Sequence, residues 1–69
     1  MEKALEEAEE HVELCHIKRL ITEEEEAVAS YDRSIAVIED EKVRKALEHI
    51  LGEEREHLKE LNEAIKMVE

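Results

Sequence analysis

A glutamate and a histidine three positions apart, Glu54 and His57, stand within the stretch GEEREHLKEL at residues 52–61. On a helix that spacing puts both side chains on one face, about one turn apart, so a carboxylate and an imidazole can converge on one point. The two groups together suit a divalent transition metal such as iron or manganese. A third acidic residue, Glu24, interrupts an apolar pattern earlier in the chain. A carboxylate on a buried strip is costly unless it is paired or bound to a cation. Metal chemistry therefore requires elements that turn all three residues inward and bring them to one place.

Those elements are helices. Proline, phenylalanine and tryptophan are absent, and Gly52 is the one glycine among 69 residues dominated by alanine, glutamate, leucine, lysine and isoleucine. One stripe reads Leu14, Ile17, Ile21, Glu24, Val28, Tyr31, Ile35, Ile38, with steps alternating between three and four. A second reads Val43, Leu47, Ile50, Glu54, His57, Leu61, Ile65, Val68, with one irregular step near its end. Each stripe is one helix face, and Ala27, Ala46, Leu51 and Leu58 widen the strip to what a bundle needs.

Between the stripes lies IEDEKV, where Asp40 can cap a second helix and Glu39 and Glu41 suit a helix beginning. The chain is expected to be a single domain over 1–69, with helix 1 at about 3–38, a turn at about 39–41 and helix 2 at about 41–67. A continuous rod is the alternative, but it would need another chain along its whole face. Gly52 falls inside the second stripe, where it costs roughly 1 kcal/mol in propensity and allows close packing. Ala4, Leu5, Ala8, Val12 and Cys15 form a stripe offset from the main one. They imply either a rotated face or contact with another subunit.

A lone hairpin of this length is marginal. The expected architecture is all-α: an antiparallel helical hairpin that dimerises into a four-helix bundle. The formal net charge of -11, from 21 acidic and 10 basic residues, argues against nucleic acid or an anionic membrane as partner. One cysteine, Cys15, excludes an internal disulfide framework. Charged residues interrupt every apolar run, so no spanning segment is expected and a cytoplasmic location is the default.

Heights along the hairpin can be counted from the turn. Glu24 precedes Asp40 by 16 residues, while Glu54 and His57 follow it by 14 and 17. The three residues therefore lie at about the same level. Two hairpins about a two-fold axis would bring two single glutamates and two Glu-x-x-His pairs together, the ligand set of four-helix di-iron and di-manganese sites. Four carboxylates would balance two divalent ions while both histidines stay neutral.

A blander reading keeps Glu24 and Glu54 at the margin of an ordinary bundle, reaching solvent. Glutamate is abundant, and Glu13 and His16 repeat the Glu-x-x-His spacing, either as a surface pair or as an accessory metal site. Glu25 would replace Glu24 if the first helix were rotated by one position, and Glu53 borders Glu54 without the spacing to His57. Glu23 and Glu26 belong with the solvated charges. His11 and Cys15, one turn apart, offer two ligands to a soft metal between chains, too few for a specific site. His49 lies off the stripe.

The pattern Glu24, Ala27, Tyr31 followed by Glu54 and His57 resembles half of a rubrerythrin or ferritin-like domain. The run LITEEEEAVASYDRSIAVIEDEKVRKALEHILGEEREHLKEL is similar to short ferritin-like chains that carry one metal-binding half and dimerise, of which encapsulated ferritins are the best-known group. The likeness covers roughly residues 17–66. It implies a ferritin-like four-helix bundle formed by a homodimer, or by a higher oligomer, with Glu24, Glu54 and His57 as metal ligands. It also implies Tyr31 as a hydrogen-bonding residue behind a ligand carboxylate. The implied activity is oxidation of Fe(II) by oxygen or peroxide at an intersubunit di-iron centre, a ferroxidase serving iron storage or detoxification. Manganese or zinc could fill the same ligands. An encapsulin shell is a further implied partner, although an obvious targeting peptide is not expected after Glu69. No Cys-x-x-Cys pair is present in these residues, so the rubredoxin-like part of full rubrerythrins is not expected. Two other readings stand beside this one: a helical oligomerisation module, and a static metal-binding protein without oxidation chemistry.

Overall fold

The computed structural model describes the backbone of residues 2–68 and the side chains of residues 11–68. It consists of two α-helices, α1 (Glu2–Val37) and α2 (Glu41–Val68), packed as an antiparallel hairpin. The described residues contain no strand. Helix-favouring composition explains the lengths of 36 and 28 residues, and the absence of proline leaves nothing to kink either helix.

Asp40 stops one helix and starts the next. Its Oδ1 accepts a hydrogen bond from the Val43 amide at 3.0 Å, and its carbonyl accepts from the Arg44 amide at 2.9 Å. This is the N-cap arrangement, in which a short carboxylate satisfies an amide that the first helical turn leaves free. Glu41 adds negative charge in the first turn of α2, where the helix dipole favours it. On the other side of the turn, the Ile38 amide donates to the Ser34 carbonyl at 3.1 Å, and Arg44 Nη2 donates to the Glu39 carbonyl at 3.2 Å. A three-residue link thus reverses the chain without glycine, and no described residue has a positive φ.

The two stripes face each other, yet they bury little. Leu51 is the one buried apolar side chain among the described residues, at 6 % exposure, and the remaining stripe residues that meet across the helices are half-buried. Other apolar residues are more open still: Val43 is 47 % exposed although it opens the second stripe, and Leu20, off the first stripe, is 45 % exposed. The molecule extends over 59 × 15 × 12 Å with a radius of gyration of 16.8 Å, against roughly 11 Å for a compact domain of this length. Its accessible surface of 5659 Å² also exceeds the roughly 4,500 Å² of a compact 8.1 kDa monomer. Two helices side by side cover only one flank of each stripe.

The offset N-terminal stripe divides at the limit of the described side chains. Ala4, Leu5 and Ala8 lie outside them, while Val12 and Cys15 are exposed. Gly52 differs from the close-packing expectation: a Cβ built there meets nothing within 4 Å. It is an exposed glycine inside a helix, with only its conformational entropy cost.

These features give contrasting expectations for denaturant unfolding. Leu51→Ala should lower stability by about 2 kcal/mol or more, and Asp40→Ala by about 1 kcal/mol. Gly52→Ala should raise it by about 0.5–1 kcal/mol. Urea midpoints followed by circular dichroism check all three; destabilisation by Gly52→Ala would show that the open space beside it is filled.

Candidate metal centre

Glu24 comes from the middle of α1, and Glu54 and His57 come from consecutive turns of α2. Glu24 lies 13 residues before Val37 and Glu54 lies 13 residues after Glu41, so antiparallel packing sets them at one level, roughly 20 Å from the turn. One ligand atom from each of Glu24, Glu54 and His57 lies within 4.8 Å of the other two. His57 Nδ1 is 4.0 Å from Glu54 Oε2. The three groups can hold a single metal ion between them, with ligands drawn from both helices of one chain.

The surroundings of the cluster grade from half-covered to open. Glu24 is half-buried, the Glu54 side chain is 21 % exposed, and the His57 side chain is 52 % exposed. Glu24 Oε2 is cut off from solvent and has no hydrogen-bond partner. An orphaned carboxylate oxygen is expensive; a cation would relieve it, as would a proton shared with Glu54. The donor set of two carboxylates and one imidazole, without thiolate, fits iron, manganese or zinc. Residues and group are therefore compatible.

Electrostatics agree with this placement. The Glu24 carboxyl is raised above its ordinary 4.5, chiefly by the hydrogen bond it can make with Glu54, then by burial, then by the negative charge of Glu54. His57 opposes the shift, and Glu23 adds slightly to it. Like charge and desolvation both favour the proton here. A divalent cation in the same place would reverse that preference by supplying the missing positive charge.

The other residues singled out by their chemistry lie elsewhere. Tyr31 is half-buried two turns beyond Glu24 on α1, and no hydrogen bond among the described residues links it to Glu24, Glu54 or His57. Glu25 is exposed, and Glu53 is exposed with Oε1 2.8 Å from His49 Nε2 on the next turn. Glu13 and His16 are both exposed and do not join the cluster. His11 Nε2 and Cys15 Sγ are 3.7 Å apart on the exposed side of α1.

Two arginines carry no mark in the sequence pattern. Arg55 reaches across to Asp32 on α1, and Arg44 is half-buried at the turn, its Nε enclosed without a partner. Neither has a signal in the apolar periodicity, because both lie on the edge of a stripe rather than in it. No helix of the described residues is long and apolar enough to cross a membrane. No family model, curated protein or solved structure matches the chain.

The raised carboxyl has a testable sign. Because folded Glu24 binds a proton more tightly than the unfolded chain does, its contribution to stability is present below about pH 4.5 and is lost as pH rises through the raised value. Metal-free wild type should therefore lose stability with rising pH more steeply than Glu24→Gln over that window. Divalent metal should remove the difference and release protons as it binds. Parallel pH slopes for the two metal-free chains in thermal melts would contradict the placement of Glu24.

Proposed function

We propose that two copies of this hairpin pair about a two-fold axis to form a four-helix bundle, in which two sets of Glu24, Glu54 and His57 enclose two metal ions. The protein on this reading is a ferroxidase resembling half-bundle rubrerythrin-like and encapsulated-ferritin-like chains. The observation that carries the reading is the convergence of those three side chains, with the shielded Glu24 oxygen among them. Exposed apolar residues support the pairing. Leu20 lies one turn before Glu24, about 40° around α1, and Val43 lies nearly four turns before His57, about 40° around α2. Both therefore border the side of the hairpin on which the cluster opens, where a second copy would cover them.

The chain's residues contribute binding, orientation and exclusion of water. Glu24 and Glu54 supply anionic oxygens that favour the higher charge of Fe(III) over Fe(II). His57 binds through one ring nitrogen and leaves the other free to donate to an acceptor. Ile50 and Leu61, half-buried one turn to either side of the Glu54–His57 pair, restrict water on the cluster's flank. Bound metal supplies the one-electron redox chemistry. Two Fe(II) substrate ions lose one electron each, and hydrogen peroxide takes up both with two protons to leave two waters; dioxygen taking the same two electrons and protons leaves hydrogen peroxide. The acidic surface, net charge -11, draws cations toward the opening.

Anaerobic titration of the purified chain with Fe(II), followed by oxygen or peroxide with absorbance recorded, tests this function. One Fe(II) per chain and its oxidation are expected, with Glu54→Ala and His57→Ala each losing both by at least ten-fold. Uptake indifferent to those substitutions would overturn the site. Tight uptake without oxidation would leave static metal binding, and a stable apo dimer with no specific uptake would leave an oligomerisation module.

A further inference from the structure

Among the described residues one ion pair joins the two helices, and it lies on the side of the hairpin away from His57. Arg55 Nη2 is 3.4 Å from Asp32 Oδ1 and 3.5 Å from Asp32 Oδ2. The other ion pairs among the described residues, Lys45–Glu41, His49–Glu53 and His57–Glu54, each stay within α2. Arg55 follows Glu54 directly, so it projects about 100° further around α2, and about 160° from His57. Asp32 is eight residues after Glu24, which places it about 80° further around α1 in the same sense. In antiparallel helices, equal senses of rotation from the contact line lead to the same side of the pair. The clasp and the imidazole therefore occupy opposite long sides of the hairpin.

This arrangement constrains the roll of α2. With neither a cation nor a shared proton between them, Glu24 and Glu54 repel, and the simplest relief is for α2 to turn so that Glu54 swings outward into water. Arg55 is the next residue on the same rigid helix. A roll that swings Glu54 out on the open His57 side carries Arg55 inward, off Asp32 and toward the half-buried strip between the helices, where an unpaired guanidinium is unfavourable. The opposite roll draws Arg55 away from Asp32, so either sense breaks the pair. We propose that Arg55 is a positioning residue for the metal centre, its ion pair with Asp32 holding the roll of α2 at which Glu54 faces Glu24. The inference rests on the metal-binding reading of the cluster, but the roll it describes belongs to the metal-free chain as well. Both partners are more than half exposed, so the effect is small: about two- to five-fold in affinity, the range of exposed ion pairs.

The test uses Co(II) alone as probe, comparing wild type with Arg55→Ala, Asp32→Ala, the charge swap Asp32→Arg with Arg55→Asp, and the control Lys45→Ala. Lys45 belongs to a more exposed pair within one helix, with Glu41 at 3.4 Å. Arg55→Ala and Asp32→Ala are expected to weaken Co(II) binding two- to five-fold and to alter the visible ligand-field spectrum, with helicity unchanged. The swap should restore both readouts, and Lys45→Ala should match wild type. Equal effects of Arg55→Ala and Lys45→Ala, or a swap that restores nothing, would overturn the proposal.

A metal-free arm separates this failure from failure of the metal site. Spin labels at the exposed positions of Glu26 and Glu56, in a Cys15→Ser background, report the distance between helices. Arg55→Ala should shift or broaden that distance distribution and the swap should narrow it again. If wild type binds no Co(II) while these distances respond, the clasp stands and the proposed function falls. If the distances do not respond, the clasp falls whatever the metal does.

Discussion

Two carboxylates and an imidazole with ligand atoms within 4.8 Å of one another, one carboxylate oxygen shielded from water without a partner, form the constraint around which this hairpin is arranged. Two neighbouring carboxylates resist losing both protons, and the Glu24 carboxyl responds by holding its proton above the ordinary range. A leucine at either position would pack into the strip at lower cost. The cation-binding reading turns that cost to use, because a divalent ion satisfies the orphaned oxygen and removes the repulsion together.

The scaffold is suited to such a site by being incomplete. Leu51, at 6 % exposure, is the one buried side chain among the described residues, and Leu20 and Val43 stay open on the side where His57 stands. With so thin a core, a cation and a second copy are the two additions that would remove most of the unfavourable exposure and charge. Association that covers the open side would also raise the strength of every electrostatic contact inside it, since water is displaced from the same place. The clasp between Arg55 and Asp32 lies on the other side and would remain accessible in such an assembly.

Much of this was legible in the residues themselves. Stripes spaced by three and four, with Asp40 between them, specify a helical hairpin, and counting outward from the turn brings Glu24 level with Glu54 and His57. The count works because both helices rise by the same amount per residue and neither is kinked. Side-chain reach was not legible. Asp32 lies 8 residues before Asp40 and Arg55 lies 15 after it, so register alone separates them by roughly 10 Å. The pair meets because long side chains lean toward the N-terminus of their own helix, toward the turn for Arg55 and away from it for Asp32. Periodicity likewise marked Val43 as apolar without showing that its own hairpin leaves it open. Tyr31 and Gly52 show the same limit: a position on a stripe, or the lack of a side chain, says nothing of what lies opposite.

The most direct measurement of the central claim is anomalous diffraction from crystals grown with Mn(II) or anaerobic Fe(II). The expected result is two peaks about 3.5–4 Å apart across a two-fold axis, each bonded to Glu24, Glu54 or His57 side chains from paired hairpins. Peaks absent from that place, or a paired assembly in which the three side chains turn to solvent, would contradict it.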